Sequence, residues 1–386
     1  MDSFEITGDL LSRGYETPVV NHSPLPAYGL KNLDYGMTIG ITRTKSGRLF
    51  ACWVGGGDNP KAYFVVNMSD DNGESWSEPI LVIDPHNKDL PCDRCTIVGN
   101  LWTDPLDRVW LFFNQTLEHF DGRSSNWYIR CSNPDGEKPV WTDPRYIWYG
   151  ETLNKPVVLS DGEWLLPVSL WARHHISPPF RDCYHELDHL RMAAVLVSND
   201  QGETWNRRGG VVFPESRFDE HMAVELDDGR LWMMGRTADG LFETFSHDMG
   251  ASWLPPRRAR VQSCSARFFL RRLYSGRILL VKHGRQAGTA AEKREDLAAF
   301  LSEDEGETWL GGFVLDERFE VSYPDGIQAE DGTIYISYDR NRSNDGEILM
   351  ARIREEDILA GACVTKGSRL KMLISRPGKL HPEDWA

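Results

Sequence analysis

Two short patterns recur along the chain and alternate with each other, and they constrain the fold more than any other feature. The first is the octapeptide S-x-D-x-G-x-[S/T]-W, which occurs intact at residues 69–76, 198–205, 246–253 and 302–309, with a degenerate copy at 132–141. In such a segment the aspartate accepts hydrogen bonds from turn amides, the glycine takes a positive φ, and the tryptophan packs back under the loop. Each copy therefore predicts a tight β-hairpin turn.

The second pattern is a turn followed by a strand of alternating apolar residues. Its six copies begin at Gly47, Asp107, Gly162, Gly229, Gly276 and Gly332. Six units of similar length nearly use up the 386 residues, and long helical stripes are scarce. Six radially arranged sheets leave only short, protected edges.

These repeats predict an all-β fold, a single six-bladed β-propeller over residues 1–386. The apolar run at 348–353 is expected to pair with N-terminal strands and close the ring. A two-sheet sandwich followed by a second domain is the alternative, and the regular spacing disfavours it.

Charge excludes several classes of partner. The chain has 43 Lys and Arg against 58 Asp and Glu, a net charge of −15. Such a field repels phosphate backbones and anionic membranes, so neither nucleic acid nor a membrane is an expected partner. An acidic small substrate would need a local arginine cluster to overcome the same field.

Cysteine usage and the N-terminus bear on location. Seven scattered cysteines do not suggest a disulfide framework, and no basic segment followed by an apolar run opens the chain. The expectation is a cytoplasmic protein with reduced thiols, with a secreted mature form as the alternative. The sequence indicates no cofactor, and it does not indicate an oligomeric state.

Octapeptides of this kind, called Asp-boxes, on six strand repeats resemble the sialidase (neuraminidase) superfamily over nearly the whole chain. The resemblance implies an exo-glycosidase with three arginines on the substrate carboxylate, a tyrosine nucleophile paired with a glutamate, and an aspartate acid/base on a mobile loop. A neutral phenol suits an anomeric carbon that already bears a carboxylate, since an anionic nucleophile would be repelled. The Asp-box itself indicates fold and not chemistry.

The resemblance assigns three catalytic candidates. Tyr323 precedes the sixth strand repeat, where the family's nucleophile is expected, and Glu220 precedes the fourth, matching the glutamate that takes its proton. Asp58, in the glycine-rich loop between the first two strands of unit one, is the candidate acid.

Arg236 and Arg294 match the second and third family arginines, and bidentate guanidinium contacts would hold an acidic group on the sugar. The first family arginine is missing, because Met37 occupies its place. Asp339 falls near the acidic residue that braces the missing arginine. It is predicted either to orient Arg340 or Arg342 or to bind a sugar hydroxyl.

Four further residues are candidates for contact with substrate because of the loops on which they stand. Two lie in a loop before the strands of unit two, one lies just before a strand repeat, and one lies in the histidine-rich insertion at 171–189. These are Asp93, Arg94, Lys155 and His185.

Two motifs match metal-site signatures, but neither is predicted to bind a metal. The segment from His185 to His189 matches H-E-x-x-H, but the zinc-binding form requires a helix, and here a strand follows. Cys92 and Cys95 form a C-x-x-C pair without the second pair that a structural zinc site needs. No metal site is therefore predicted.

The function predicted from these observations is retaining hydrolysis of a terminal, acidic sugar of an oligosaccharide or glycan. One alternative is another propeller exo-glycosidase, or a polysaccharide lyase, acting on chains that contain uronic acid. A second alternative is a propeller that binds glycans without cleaving them.

Overall fold

Each strand repeat forms the second strand of an antiparallel sheet, and six such sheets are arranged as a β-propeller. The computed structural model describes residues 4–385. Sheets run from an inner strand near the axis to an outer strand at the rim, in sequence order apart from additions in the first two blades. The predicted all-β, six-bladed fold is confirmed.

The first three blades contain fourteen strands. They are β1 (Val20–Asn21), β2 (Met37–Arg43), β3 (Leu49–Gly55), β4 (Tyr63–Ser69) and β5 (Leu81–Ile83) in blade 1, β6 (Arg94–Cys95), β7 (Gly99–Thr103), β8 (Val109–Leu117), β9 (Ser125–Cys131) and β10 (Arg145–Trp148) in blade 2, and β11 (Val157–Val158), β12 (Trp164–Ser169), β13 (Ala193–Ser198) and β14 (Asn206–Val211) in blade 3.

The last three blades have four strands each. They are β15 (Ser216–Glu225), β16 (Leu231–Thr237), β17 (Gly240–Ser246) and β18 (Arg257–Arg258) in blade 4, β19 (Phe269–Arg272), β20 (Ile278–His283), β21 (Leu297–Ser302) and β22 (Leu310–Asp316) in blade 5, and β23 (Val321–Gln328), β24 (Ile334–Arg340), β25 (Glu347–Ile353) and β26 (Arg369–Ser375) in blade 6.

Helices are few and short. Two α-helices, α1 (Gly8–Arg13) and α2 (Glu355–Ala360), accompany 3₁₀ turns at Leu30–Asn32, Arg173–His175, Pro178–Phe180, His185–Leu190 and Pro382–Trp385. Within residues 4–385, none of the helices has the length and apolar character needed to span a bilayer. All seven cysteines are free thiols.

The octapeptides form the predicted turns between the third and fourth strands of their blades. In the copy that follows β21, Ser302 donates to Asp304 and accepts from the Gly306 amide at 2.8 Å, while Asp304 accepts from the amide and hydroxyl of Thr308 at 2.8 and 2.6 Å. Gly306 has φ of 84°, and a Cβ there would meet the Trp232 ring of the preceding blade at 2.7 Å. Glycine is therefore required for both backbone conformation and packing between blades.

The ring does not close in the way the sequence suggested. The apolar run at 348–353 lies in β25, which pairs with β24 and β26, so blade 6 is built entirely from the C-terminal part of the chain. The N-terminal strand β1 pairs instead with β5 at the rim of blade 1. The predicted pairing was wrong, and blades 1 and 6 meet through packing and side-chain bonds.

A buried polar network at the propeller axis ties the inner strands together. The Asp325 carboxylate, in β23, accepts from the Ile41 amide at 2.9 Å and the Asn100 amide group at 3.2 Å, and it forms an ion pair with Lys155. Arg267 lies 3.5 Å from the same carboxylate. These residues come from five blades or the segments that lead into them, so the network fixes the inner strands around one charged centre.

Helix α2 gives a testable pH dependence of stability. The buried Asp357 side chain accepts from the amides of Arg354, Val364 and Thr365 at 2.7–2.8 Å and from the Thr365 hydroxyl at 2.7 Å. Burial alone would raise the pKa of Asp357, but these bonds and one from Ser368 outweigh it and lower the pKa to about 2. A lowered pKa stabilises the fold above the unfolded value of about 4, and the contribution disappears as pH falls through about 2.

We therefore expect Asp357→Asn to cost stability at pH 6 and progressively less toward pH 2, as measured by urea unfolding. A cost that is constant across that range would contradict the assignment.

Candidate active site

The inner strands of blades 4 and 6 bring Tyr323 and Glu220 together near the axis. The Tyr323 hydroxyl donates to Glu220 Oε1 at 2.8 Å, although 103 residues separate the two in sequence. Glu220 is fully buried, and its second oxygen, Oε2, has no hydrogen-bond partner among residues 4–385. A phenol bonded to a buried carboxylate is the arrangement needed to transfer the phenolic proton.

The backbone is irregular at both Glu220 and Tyr323, and this irregularity sets the direction of their side chains. In β15 the successive residues 218, 219 and 220 have φ of 64°, 57° and 45°, and Tyr323 in β23 has φ of 52°. The strand register shifts at both places, which marks β-bulges. Left-handed conformation costs an L-residue about 1–2 kcal/mol, so these positions are held by their surroundings. For β15 that support is Asp219, whose carboxylate accepts from the hydroxyls of Ser216 and Ser169.

Four arginines surround this tyrosine and glutamate. Arg236, at the end of β16, donates to Oε1 of the glutamate at 2.9 Å. The guanidinium carbons of Arg342, Arg267 and Arg294 lie 4.2, 5.6 and 5.9 Å from the centre of the tyrosine ring. Arg267 is buried, donates to Asn154 and the Leu153 carbonyl, and faces the carboxylate at the axis. The other three arginines supply the local positive charge that a protein of net charge −15 would need to bind an acidic ligand.

Arg342 stands at the corner where the first family arginine is missing. Asp339 accepts from Arg342 Nε at 2.9 Å on one oxygen and from the Thr38 amide at 2.9 Å on the other. Thr38 follows Met37 in β2, so the buried Asp339 fixes Arg342 beside the start of that strand. Ser322 also accepts from Arg342, at 3.4 Å, and from a second arginine of the cluster at 2.8 Å.

The electrostatics of the site follow from burial and these charges. Burial raises the pKa of Tyr323 to about 12, the negative charge of Glu220 acts in the same direction, and Arg342 and Arg236 act against it. Burial also raises the pKa of Asp339, with Arg342 opposing. The Tyr323 phenol therefore holds its proton near neutral pH and needs a base to become nucleophilic.

A pocket of about 170 Å³ opens over the tyrosine and glutamate. One wall is apolar, and the polar groups that reach the pocket are Tyr323, Glu220, Asp58 and His119. An apolar wall facing a few convergent polar groups is typical of a small-ligand site. Three larger surface cavities share no lining residue with this pocket. The apolar lining is Met37, Ile97, Val98, Leu153, Trp171 and Phe218.

The sequence-predicted candidates that the structure brings together here are Tyr323, Glu220, Arg236, Arg294 and Asp58. The last of them lies in the loop between β3 and β4, and its Oδ2 is 3.4 Å from a guanidinium nitrogen of the cluster. Their chemical roles stay predictions.

For Asp339 the structure decides between the two alternatives. Its carboxylate is fully buried and bonded to Arg342 and to the Thr38 amide. Asp339 therefore orients Arg342 and is not open to a sugar hydroxyl.

The structure corrects the prediction that Lys155 contacts substrate. Its side chain is buried, makes structural bonds and does not reach the pocket. It is 3% exposed, and its ammonium binds Asp325 and, at 3.0 Å, Asn100. The position before a strand repeat places it at the axis, as expected, but outside the pocket lining.

The structure also corrects the prediction that Arg94 contacts substrate, because its side chain is engaged in structural bonds. Its guanidinium donates to the carbonyls of Arg13 and Pro85 and forms an ion pair with Glu16. These bonds tie blade 2 to the N-terminal segment, and Arg94 does not line the pocket.

Three other candidates lie apart from the cluster. Arg340 forms ion pairs at 2.6 and 3.0 Å with two carboxylates of its own blade. Asp93 is exposed, and its carbonyl accepts from the Glu118 amide at 2.8 Å. His185 is 63% exposed and stands 3.4 Å from Asp188. None of the three lines the pocket; the arginines of the cluster do not line it either, but they bond to Glu220 or lie near the Tyr323 ring.

The motifs that match metal-site signatures do not form such sites. His185–Leu190 is a 3₁₀ turn, which does not place the two histidines on one face as an α-helix would. Across residues 4–385, no group of three or more His, Cys, Asp or Glu side chains is placed to hold a metal ion.

Several residues of the site were not foreseen. His119, Trp171, Phe218 and Arg267 reach it from different blades or the loops that leave them. Each lies within a few residues of a predicted strand end, where loops gather at one face of a propeller. That position was the one available clue, and it does not distinguish them from other loop residues.

Comparison with known proteins agrees with this fold. The chain belongs to the BNR repeat-like domain family, whose model matches residues 47–336. A protein named sialidase from Paraclostridium sordellii is 22% identical over 214 residues, with 48% of this chain and 48% of that protein covered. The chain therefore spans about half the length of this curated relative.

Solved structures show the same architecture at low identity. A Dyadobacter fermentans protein of unknown function superposes with a TM-score of 0.56 at 15% identity, covering 81% of this chain and 92% of that one. A Hadza microbial sialidase gives 0.58 at 18%, covering 80% and 63%. A leech intramolecular trans-sialidase gives 0.60 at 11%, covering 87% and 70%. The resemblance to the sialidase superfamily is confirmed at the level of fold and family.

Proposed function

We propose that the protein is a retaining exo-glycosidase that removes a terminal acidic sugar, with a sialic acid as the first candidate, from an oligosaccharide or glycan. The observation that carries the proposal is the hydrogen bond from the Tyr323 hydroxyl to Glu220 Oε1, 2.8 Å long, beside a cluster of three arginines. The sialidase named among the relatives supports the choice of sugar.

In the first step the Tyr323 oxygen attacks the anomeric carbon as the bond to the leaving oxygen breaks. Glu220 accepts the phenolic proton, and Asp58, the predicted acid, protonates the leaving oxygen. Arg236 keeps the carboxylate of Glu220 in place, and its positive charge opposes a build-up of negative charge on the two groups. In the second step water displaces Tyr323 from the sugar, so that two displacements retain the anomeric configuration.

Substrate binding is assigned to Arg294 and Arg342, with Arg236 as the third guanidinium near the carboxylate of the sugar. Arg342 takes the place of the arginine that Met37 replaces, because Asp339 anchors it at that corner of the site.

The direct test is release of sugar by the purified protein. An α-linked nitrophenyl sialoside should release nitrophenol and free sialic acid, whereas a nitrophenyl uronide should react more slowly. A polysaccharide containing uronic acid, followed by ultraviolet absorbance, tests the lyase alternative in the same experiment. Hydrolysis of neither glycoside by folded protein, or an unsaturated product, would contradict the proposal.

Arg342 gives a sharper prediction with a matched control. Arg342→Met removes a charge-assisted contact worth about 1.5–3 kcal/mol, so kcat/KM for the acidic substrate should fall by about 10–100-fold, mostly through KM. Arg340→Met, two residues away and paired with Asp345 and Glu347, should leave both constants unchanged. Equal losses in the two variants would show that Arg342 has no role in substrate binding.

A further inference from the structure

Glu220, the proton acceptor of the proposed reaction, stands between two residues that are bonded to the neighbouring blade. It lies in β15 of blade 4. On one side of it, Asp219 accepts a hydrogen bond from the Ser169 hydroxyl in β12. On the other side, His221 donates through Nε2 to the Ala194 carbonyl in β13 at 2.7 Å. Since β12 and β13 both belong to blade 3, that blade holds the chain immediately before and after Glu220.

A second serine closes the irregular part of β15 on itself. The Ser216 hydroxyl donates to Oδ1 of Asp219 and accepts from the Asp219 amide at 3.0 Å, while the Ser169 hydroxyl donates to Oδ2. Asp219 is 4% exposed, so both of its carboxylate oxygens are bonded inside the protein. One buried side chain thus connects the start of β15, the residue before Glu220 and blade 3.

The backbone that carries Glu220 needs such a support. Residues 218, 219 and 220 have φ of 64°, 57° and 45°, a conformation that is unfavourable for L-residues. The pairing of β15 with β16 shifts register on both sides of Asp219, so the bulge is held between two breaks in the ladder. A slip of one residue in a strand turns each side chain to the opposite face. If the bulge relaxed in this way, Glu220 would leave the position at which its Oε1 lies 2.8 Å from the Tyr323 hydroxyl.

Asp219 itself stays away from the ligand. It does not line the pocket, and its two side-chain partners are serine hydroxyls. Arg294, which is assigned to the sugar carboxylate, is held by Ser322 at 2.8 Å. Arg342, which is assigned to the same group, is held by Asp339 at 2.9 Å. Asp219 therefore acts on the reaction through the glutamate, and the contacts assigned to the sugar carboxylate do not depend on it.

We propose that Asp219 is a positioning residue, which holds Glu220 at hydrogen-bond distance from Tyr323. It does so by joining blade 4 to blade 3 through the hydroxyls of Ser169 and Ser216. The assignment rests on the proposed function. In that reaction the phenolic proton moves to Glu220 as the sugar bonds to the Tyr323 oxygen, so a displaced carboxylate slows the chemical step and leaves sugar binding intact. Loss of Asp219 should therefore lower the rate of sugar transfer and not the affinity for the sugar.

The test measures rate and affinity separately in each variant. Asp219→Ala should lower kcat/KM for a nitrophenyl sialoside by about 10²-fold, and the inhibition constant of free sialic acid should stay within about 2-fold of wild type. Ser216→Ala should lower kcat/KM by a smaller factor, and Ser216→Thr, which keeps the hydroxyl, should restore it. Asp104→Ala is the matched control and should change neither quantity. Asp104 is also buried, at 2% exposure, and accepts from Trp110 Nε1 at 2.8 Å, but it does not line the pocket.

The outcomes separate this assignment from the proposed function. If folded Asp219→Ala keeps kcat/KM within about 3-fold of wild type, the assignment is overturned and the proposed function stands. The same holds if the inhibition constant rises by as much as kcat/KM falls, because the whole site is then disturbed. A wild-type protein that cleaves no sialoside would overturn both. Thermal unfolding of each variant reports folding, and if Asp219→Ala does not fold, Asp219→Asn and the two Ser216 variants decide by the same criteria.

Discussion

Tyr323→Phe is expected to lower kcat by at least about 10³-fold, because it removes the nucleophilic oxygen and leaves the ring in place. Burial and the charge of Glu220 raise the pKa of Tyr323 to about 12, so turnover depends on the 2.8 Å hydrogen bond through which Glu220 takes the proton. Loss of that bond costs little stability, since Arg236 still neutralises Glu220.

The matched control is Tyr28→Phe. Tyr28 also donates its hydroxyl to a carboxylate, that of Asp84 at 2.5 Å, and neither residue lines the pocket. Steady-state rates on a nitrophenyl glycoside should be normal in Tyr28→Phe and lost in Tyr323→Phe. If Tyr323→Phe keeps a tenth or more of wild-type kcat, Tyr323 is not the nucleophile.

Lys155→Met is expected to have the largest effect on stability. It removes the cation from a fully buried carboxylate, Asp325, and breaking one side of a buried ion pair costs about 3–5 kcal/mol. Arg267, at 3.5 Å, offers partial compensation. The same substitution also leaves the Asn100 side-chain oxygen without the bond that Lys155 donates at 3.0 Å.

Two further variants serve as comparisons for the stability cost of Lys155→Met. Lys371→Met removes an exposed ion pair with Glu317 and should cost less than about 1 kcal/mol. Lys155→Met combined with Asp325→Leu leaves the buried Arg267 without a facing carboxylate and the Ile41 amide without its acceptor, so it should cost at least as much as Lys155→Met alone. Urea unfolding measures all three. A cost for Lys155→Met as small as that for Lys371→Met would contradict the structural role of the axial network.

Much of the fold could be predicted because its determinants are local. The turn chemistry of each octapeptide and the alternation in each strand repeat lie within a few consecutive residues, and they determine the number of blades. Ring closure depends on how blades 1 and 6 pack, which no short segment encodes, and there the sequence-based prediction failed. The pairing of β1 with β5 joins two distant segments without any distinctive motif.

Tyr323, Glu220 and Arg236 each have a fixed place in a repeat, and the structure brings these three candidates together, although their roles stay predictions. The site was not predicted where burial decides the role. The position of Lys155 before a strand repeat suggested that it contacts a ligand in the central pocket. Its ammonium is instead buried in an ion pair at the axis. The sequence left open whether Asp339 orients Arg340 or Arg342, and only the structure shows its bond to Arg342 and to the start of β2.

The central claim is that the sugar is transferred to Tyr323 and then to water. The most direct measurement is mass spectrometry of peptides from wild-type protein quenched within milliseconds of mixing with a nitrophenyl sialoside. We expect a mass increase of one sialyl group on the peptide that contains Tyr323, absent in Tyr323→Phe. Turnover with no modified Tyr323, or with the sugar attached to another residue, would contradict the account.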